Sequence, residues 1–408
     1  MSSRRIYVDH GATTPTDPRV VEAMLPFLTQ KFGNASSIHQ FGQEARAAVD
    51  RAREVIASAI GAAPQEIVFT SGATEADNFA VLGAAWANEA RGRHLIASPV
   101  EHHAVLEPLR FLQSRGWDVT YLPVDRYGQV DPDDVRAALR PDTVLISVMH
   151  ANNEIGTLEP VAEIGRLARE RGILMHSDAT QSVGILPVQV EVLCVDLLSM
   201  SAHKRYGPKG AGALYIRKGS NVARIQHGGS HERNRRAGTE NVPGVVGFGA
   251  AVRIALECMS DEAARLSRLR DRLIAGLLRI DGAHLNGHPV ERLPGNVNVS
   301  FEEVDSESIL LALDLQGVAA SSGSACTSGS LEPSHVLSAI GLPPEIAAGT
   351  IRLTLGRWNT EEEIDTLLAL FPGIIEDLRG ASAGRPRRAE QSRAAQPARK
   401  DRLSEIVP

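Results

Sequence analysis

The chain has 408 residues, of which 43% are hydrophobic and 23% are charged, and its formal net charge at pH 7 is -6. This ordinary balance gives no reason to expect nucleic acid or a membrane surface as the main partner. No run of about 18 apolar residues predicts a transmembrane helix, and the N-terminal stretch MSSRRIYVDHG lacks the apolar segment of a secretory signal. Three cysteines are too few for a disulfide framework, so we expect a reducing, cytoplasmic location.

Strand and helix patterns alternate along the first two thirds of the chain. Short apolar segments predict strands, and amphipathic stretches between them predict helices. The strand segments are QEIVFTS, HLIASPV, WDVTYLPV, TVLISVMH, ILMHSDAT, VDLLSMSAH and GALYIR, and the helices cover residues 74–90, 106–115 and 161–171. This alternation predicts an α/β fold, with a mostly parallel central sheet covered by helices in a large domain of residues 17–258.

Polar clusters fall where the predicted strands end. They are SGATE, EHHA, HANNEIG, SDATQ and SAHK. Because ligands of parallel sheets gather at the carboxyl ends of the strands, we expect a binding site at this edge.

The pattern changes near Asp261. An arginine-rich helix over residues 262–279 precedes short strands such as NVNVSF, and Thr360 with Glu363 has the spacing of a capping box before a last helix. We predict a smaller α+β domain made of residues 259–379 together with residues 1–16. Residues 380–408 contain almost no large apolar side chain, which predicts a disordered tail.

The three cysteines have different surroundings. Cys194, in a predicted buried strand, and Cys258, after an apolar helical stretch, are predicted to be small core hydrophobes. Cys326 lies among glycines and small polar residues in SSGSACTSGS, where we expect an accessible thiol. From that stretch alone, an incidental loop cysteine stays an open alternative.

One of the five lysines has an unusual position. Lys204 ends a hydrophobic strand in DLLSMSAHKRYGPKG, whereas Lys31, Lys209, Lys218 and Lys400 lie in loop-like or tail settings. A lysine at the carboxyl edge of a parallel sheet is placed to form a Schiff base. A structural or surface lysine is an equally open interpretation of this motif alone.

Three further motifs indicate a binding site at the same edge of the predicted sheet, where the strands end. The turn in TSGATEADNFAV leads from a strand into a helix, whose free N–H groups can bind a phosphate. Asp178 can pair with a protonated ring nitrogen or simply cap a helix. His102 and His103 lack the spacing of a third metal ligand, so we predict no metal site and expect one imidazole to stack on a cofactor ring.

Together, the order and spacing of several motifs resemble the NifS/IscS-type cysteine desulfurases. These motifs are SGATE, EHHA, NNEIG, SDATQ, SAHKRYGPKG, RRAGTEN, SSGSACTSGSLEPSHVL and IRLTLGRW, and the resemblance runs from Tyr7 to about Leu378. The family belongs to the class V aminotransferase group within the pyridoxal-phosphate-dependent transferases of fold type I. RRAGTENVPG is more similar to the NifS branch.

The resemblance implies a role for each site residue. Lys204 would bind pyridoxal 5'-phosphate covalently, His102 would stack on its ring, and Asp178 and Gln181 would bind the ring nitrogen and the phenolic oxygen. The phosphate would be held by Ala73, Thr74, Ser201 and His203, with Thr239 completing the site of the neighbouring subunit in a homodimer. Asn153 would contact cofactor and substrate, Arg352 would bind the substrate carboxylate, and Cys326 would accept the sulfur.

The implied reaction converts L-cysteine into L-alanine and a persulfide on Cys326. The sulfur would pass to an iron–sulfur scaffold or another acceptor, with nitrogenase maturation and tRNA thiolation as further destinations, and Cys326 could transiently ligate a cluster. A selenocysteine lyase or an aminotransferase of the same fold remains the alternative. The intact site argues against a scaffold without catalysis, and the missing GxGxxG argues against an NAD-binding protein.

Overall fold

The structure of the chain is a computed structural model that describes residues 5–322 and 334–383. Its strands are β1 (Ile6–Tyr7), β2 (Ile67–Thr70), β3 (His94–Ala97), β4 (Asp118–Tyr121), β5 (Thr143–Ser147), β6 (Leu174–Asp178), β7 (Leu197–Ser201), β8 (Gly212–Ile216), β9 (Ala283–Leu285), β10 (Asn296–Phe301), β11 (Val318–Ala319) and β12 (Thr350–Thr354).

Along the chain, the helices lie between these strands and after the last one. They are α1 (Pro18–Thr29), α2 (Gln40–Ala59), α3 (Ala73–Asn88), α4 (His103–Ser114), α5 (Pro132–Ala138), α6 (Val161–Glu170), α7 (Val190–Leu193), α8 (His231–Asn234), α9 (Val242–Leu277), α10 (Ser306–Leu315), α11 (His335–Ala339), α12 (Pro344–Ala347) and α13 (Glu361–Ala383), with short 3-10 turns at Pro64–Glu66 and Ala202–Lys204.

A seven-stranded sheet forms the centre, in the order β2-β8-β7-β6-β5-β3-β4. The strands from β4 to β7 run parallel, and β8 is antiparallel to both β7 and β2. The predicted α/β fold with a mostly parallel sheet is therefore confirmed. Asp178 pairs in register with Ser199, and Ser201 pairs with Gly212, so the carboxyl ends of β6 and β7 lie beside the start of β8.

Both faces of this sheet are covered by apolar side chains. On one face Ile146, Met175 and Leu198 pack into a core that also includes residues of α2, α6 and α9. On the other face Leu145 and Leu197 pack against α3 and α4. Burial on both faces is the reason why these strands have nearly continuous apolar sequences, as parallel strands generally do.

A second core lies around the antiparallel sheet β12-β10-β9. It combines β10 and β12 with α10, α13 and the second half of α9. Ile6 and Val8 from the N-terminal segment belong to this core, and β1 pairs with β11.

Helix α9 differs most from the sequence prediction. It begins at Val242, 20 residues before the predicted start at residue 262, and runs without interruption to Leu277. Asn241 accepts a hydrogen bond from the Gly244 N–H and so caps the start. The predicted division between residues 258 and 259 falls inside this helix, and it stays a prediction.

The length and hydropathy of α9 would also allow it to cross a membrane, since an 18-residue window reaches a mean hydropathy of 1.5. However, 56% of that window is buried inside the protein. Its apolar residues pack in the two cores, and this burial accounts for the composition.

Two cysteine predictions and one boundary were wrong. Cys194 ends the short helix α7 in a left-handed conformation with φ 56°, and β7 begins only at Leu197. Cys258 is half-buried on α9, where its Sγ lies 3.4 Å from Glu262 Oε2. Helix α13 continues past residue 380 to Ala383; the rest of the predicted tail, residues 384–408, lies outside the described residues.

Candidate active site

A pocket of about 490 Å³ opens at the carboxyl ends of the central parallel strands. It brings together ten of the residues singled out in the sequence, which come from both halves of the chain. They are Ala73, Thr74, His102, Asn153, Asp178, Gln181, Ser201, His203, Lys204 and Arg352. Thr239 is exposed and does not line this pocket, and Cys326 lies outside the described residues.

Lys204 follows β7 at the end of the 3-10 turn Ala202–Lys204. Its Nζ donates hydrogen bonds to the carbonyl oxygens of Gly11 and Ala12, at 2.7 and 2.6 Å. Burial, reinforced by the positive charge of Arg352, lowers the pKa of Lys204 to about 8. An appreciable fraction of the amine is therefore neutral, and hence nucleophilic, near neutral pH.

Asp178 is a buried carboxyl group at the end of β6. Its Oδ1 accepts a hydrogen bond of 2.9 Å from the Thr180 N–H, while burial and the nearby carboxyl group of Asp77 raise the pKa of Asp178 to about 6. A protonated nitrogen of a bound ring would favour the ionised form of this group.

His102 caps α4, because its Nδ1 accepts a hydrogen bond from the Ala104 N–H at 3.1 Å. Burial lowers the pKa of His102, although the charge of Asp178 acts in the opposite direction. The imidazole therefore faces the pocket as a neutral ring that can stack on a planar group or accept a proton.

Neutral hydrogen-bond donors surround the end of the pocket next to α3. This helix begins at Ala73 and Thr74, and no side chain caps its first N–H groups. The buried hydroxyl of Ser201 has no hydrogen-bond partner within the described residues, and His203 Nδ1 lies 3.1 Å from the Thr13 hydroxyl. Burial lowers the pKa of His203 to about 4. This end can therefore bind an anion such as a phosphate.

Arg352 reaches the pocket from β12, in the second core. Its Nη2 forms an ion pair with Asp9 Oδ1 at 3.0 Å, and its Nη1 donates to the carbonyl oxygen of Asn153 at 3.0 Å. Gln181 is held differently, since its Nε2 donates to the carbonyl oxygen of Gly11 at 3.1 Å. The pocket thus combines a guanidinium group with an amine and a buried carboxyl group.

Sequence reasoning missed several residues of the pocket. Glu75 pairs with Arg236, whose Nε and Nη2 donate at 2.8 and 3.1 Å, and Lys209 lies near the start of α3. Glu154 accepts a hydrogen bond of 2.6 Å from the Ser334 hydroxyl, and the His335 ring lies tilted against that of His103 with ring centroids 4.7 Å apart. Only the motifs SGATE, RRAGTEN and GPKG could have pointed to Glu75, Arg236 and Lys209.

No group of three or more histidine, cysteine or acidic side chains has the geometry of a metal site within residues 5–322 and 334–383. His102 and His103, whose ring centroids are 6.4 Å apart, line the pocket together without a third ligand.

The class-V aminotransferase family matches residues 6–367 of the chain. A cysteine desulfurase IscS of Dictyoglomus turgidum is 57% identical over 380 residues, covering 93% of this chain and 96% of the relative. Another from Methanosarcina thermophila is 53% identical over 385 residues, covering 94% and 95%. The chain therefore belongs to the cysteine desulfurases of the class-V aminotransferase family.

A solved structure of a NifS-like protein supports this assignment. It superimposes on this cysteine desulfurase with a TM-score of 0.86 at 40% sequence identity, covering 92% of this chain and 99% of that protein. Activity as a cysteine desulfurase, predicted from the motifs, is confirmed at the level of the family. The relatives named above carry IscS and NifS names alike, so the finer placement in the NifS branch stays a prediction.

Proposed function

We propose that the pocket binds pyridoxal 5'-phosphate through a Schiff base with Lys204, and that the sulfur of L-cysteine passes to Cys326 with release of L-alanine. One observation carries this proposal: the Lys204 amine lies in the same pocket as Asp178, His102 and Arg352. When bound, the cofactor supplies an electron sink for charge that develops on the substrate carbon.

The residues present fit this cofactor at both of its ends. The Ser201 hydroxyl, which has no partner in the described part of the chain, and the uncapped start of α3 suit its phosphate. At the ring, Asp178 offers a buried carboxyl group to the nitrogen, Gln181 offers an amide to the phenolic oxygen, and His102 offers a flat neutral imidazole. Ala73, Thr74 and His203 add further contacts around the phosphate.

Arg352 is the group that would bind the substrate carboxylate. Its planar guanidinium can pair with both carboxylate oxygens, and the Asn153 carbonyl and Asp9 hold it in place from the protein side. Once released from the cofactor, the Lys204 amine can remove a proton from the substrate carbon, because its pKa of about 8 leaves part of it neutral.

Both ends of the segment that carries Cys326 are attached to pocket residues. Before it, the Arg352 backbone N–H donates to the Ser321 carbonyl oxygen at 2.6 Å. After it, Ser334 bonds to Glu154, and His335 Nε2 lies 2.9 Å from the carbonyl oxygen of Glu101. These attachments support Cys326 as the sulfur acceptor, because they keep the ends of its segment next to the substrate site.

Borohydride reduction followed by peptide mapping tests the cofactor assignment. The reduced cofactor should be attached to Lys204, and Lys204→Ala should lose both the covalent label and the visible absorption of the Schiff base. A label on Lys209 or Lys218 would contradict the proposal.

The role of Cys326 is tested by Cys326→Ser, with Cys258→Ser as the matched control. The first variant should bind the cofactor and L-cysteine but form little alanine and no persulfide, whereas the control should form both. Normal alanine formation by Cys326→Ser would instead favour a lyase of the same fold, such as a selenocysteine lyase, which needs no cysteine nucleophile.

A homodimer completes the proposal. An exposed apolar surface on α1, the α1–α2 connection and the start of α2 supports a second copy of the chain as the partner that covers it. Its residues are Val21, Leu25, Leu28, Phe32, Ile38 and Phe41. Thr239 is exposed on a segment held by the Arg236–Glu75 and Arg46–Glu240 ion pairs, as a residue reaching a neighbouring site would be.

Mixing two inactive variants tests this sharing of sites. Lys204→Ala and Thr239→Ala should each lose activity as pure proteins. If each site uses both subunits, unfolding and refolding the mixture should restore about a quarter of the wild-type activity, because half of the random dimers carry one intact site. No recovery in mixed dimers would contradict the shared site.

The acceptor of the sulfur is an iron–sulfur scaffold protein in this proposal. Transfer of radiolabelled sulfur from the Cys326 persulfide to such a scaffold should exceed transfer to a tRNA-thiolation protein. The reverse preference would assign the chain to tRNA thiolation.

A further inference from the structure

The phosphate end of the pocket lacks positive charge in the groups that line it most closely. Thr74 and Ser201 are neutral, and burial lowers the pKa of His203 to about 4, so its imidazole is neutral at pH 7. The partial charge at the start of α3 attracts an anion, but Glu75 in the first turn of that helix opposes it. A phosphate ester carries close to two negative charges at neutral pH.

The cations around the pocket are mostly compensated by other groups. Arg236 pairs with both oxygens of Glu75, and Arg352 pairs with Asp9. The Nζ of Lys204 donates hydrogen bonds to the carbonyl oxygens of Gly11 and Ala12. Lys209 also lines the pocket, and it forms no ion pair with any residue of the described ranges.

The position of Lys209 is set by the turn between Lys204 and β8. This turn lies over the start of α3, and a Cβ atom placed on Gly212 would come within 2.6 Å of Gly72 Cα. Gly210 follows Lys209 with φ 78°, in the left-handed region that favours glycine. The positive charge of Lys209 is felt at His203, where it helps to lower the pKa of the imidazole.

From this arrangement we infer that Lys209 is a cofactor-binding residue that supplies the positive charge opposite the cofactor phosphate. The inference rests on the proposed function, because it names a contact within the same pocket. Lys209 acts through charge and not through the Schiff base, which distinguishes it from Lys204. Its contribution should therefore depend on the phosphate and on salt, because an exposed ammonium group is screened.

The experiment compares Lys209→Gln with the matched control Lys218→Gln, which alters an exposed lysine after the far end of β8. Each full-length apoprotein is titrated with pyridoxal 5'-phosphate and with pyridoxal, which lacks the phosphate. At low salt, Lys209→Gln should weaken binding of the phosphorylated compound by about three- to ten-fold, the scale of an exposed ion pair with a doubly charged partner. Binding of pyridoxal should not change.

Further readouts separate a charge effect from a structural one. The difference should shrink in concentrated salt, and Lys209→Arg should restore most of the affinity because it keeps the charge. Wild-type affinity of Lys209→Gln at low salt, or equal weakening of both compounds, would overturn the role of Lys209. Failure of the unaltered chain to bind pyridoxal 5'-phosphate would instead overturn the proposed function.

Discussion

At the scale of single residues, the Lys204 amine has the clearest chemical consequence. Because its pKa is lowered to about 8, the neutral amine should become available over the pH range in which enzymes usually work. We predict that the apoprotein forms its Schiff base with pyridoxal 5'-phosphate faster as pH rises, with half of the maximal rate near the Lys204 pKa of about 8. Stopped-flow absorbance over a series of buffers measures this rate.

Arg352 is one source of the lowered pKa of Lys204, after burial. Arg352→Gln should therefore move the midpoint of the Schiff-base rate to higher pH, because it removes a nearby positive charge. Lys218→Gln serves as the control and should not move it. A rate that stays flat from about pH 6 to pH 9 would contradict a titrating amine.

At the scale of the elements, helix α3 carries a buried carboxyl group, that of Asp77, in the wall of the pocket. Neither oxygen of Asp77 accepts a hydrogen bond within the described residues, and His176 Nε2 lies 3.5 Å from its Oδ1. Burial raises the pKa of Asp77 to about 7. The folded pKa is thus above the unfolded one, so the folded state loses stability as pH rises towards 7.

We predict that Asp77→Asn removes this loss, because the amide does not ionise. Relative to wild type, the variant should gain about 2 to 4 kcal/mol of unfolding free energy between about pH 5 and pH 8. Urea denaturation at several pH values measures the difference. A parallel pH dependence in both proteins would show that Asp77 is ionised and paired throughout.

The turn at α8 contains three consecutive non-glycine residues with positive φ: Glu232 (48°), Arg233 (55°) and Asn234 (64°). A buried ion pair holds it, because Arg53 donates to both oxygens of Glu232 at 2.6 and 2.7 Å. The Phe69 N–H also donates to Glu232, at 2.9 Å. This contact ties the turn to the end of β2 and places the segment that contains Thr239.

Glu232→Gln should lower the unfolding free energy by about 3 to 5 kcal/mol, because it leaves the buried Arg53 charge without its partner. Chemical denaturation is the measurement. The control is Glu89→Gln, which breaks the exposed pair with Arg93 and should cost about 1 kcal/mol or less. Equal losses in the two variants would contradict the importance of burial.

Most strands of the central sheet could be predicted from sequence because they contain short apolar runs, such as IVF in β2 and VLI in β5. The start of α9 could not, since Gly244, Gly247 and Gly249 lower its intrinsic helix propensity. Tertiary packing reverses that preference: a Cβ on Gly249 would lie 2.8 Å from Ala52 Cβ, so the glycine allows α2 and α9 to approach closely. Such a contact is visible only in the folded chain.

In the candidate site, too, some residues could be predicted from the sequence and others could not. Asp178 could be predicted because it ends one strand of the parallel sheet, and Lys204 because it closely follows another. Asp9 could not, because its pairing with Arg352 joins residues 343 positions apart in sequence. Lys209 looked like an ordinary loop residue until the turn placed it beside α3.

At the scale of the whole molecule, the structure gives a sharper choice of C-terminal truncation. Helix α13 ends at Ala383, and Arg379 within it donates to the carbonyl oxygens of Asp281 and Glu302 at 2.9 and 3.0 Å. A chain ending at Ala383 should keep wild-type alanine formation with dithiothreitol as acceptor. A chain ending at Leu378 loses the Arg379 contacts and should melt earlier.

Thermal unfolding and alanine assays of the two truncated chains check this prediction. Loss of alanine formation in the chain ending at Ala383 would show that residues 384–408 are needed for catalysis. The arginines in that segment could still attract an acidic acceptor, and transfer to the protein acceptor at low salt would reveal such an effect.

Helix α9 passes through both cores, since Val245 and Phe248 belong to the first and Leu269 and Leu273 to the second. At 1.5 Å per residue its 36 residues span about 54 Å, and sharp kinks in such helices occur almost only at proline, at Gly/Ser pairs or where another group inserts. The helix therefore fixes the distance between the pocket wall that carries Lys204 and the wall that carries Arg352. Rotation of one core against the other would have to bend α9. We therefore expect substrates to enter by rearrangement of residues at the rim of the pocket and not by a hinged separation of the two cores.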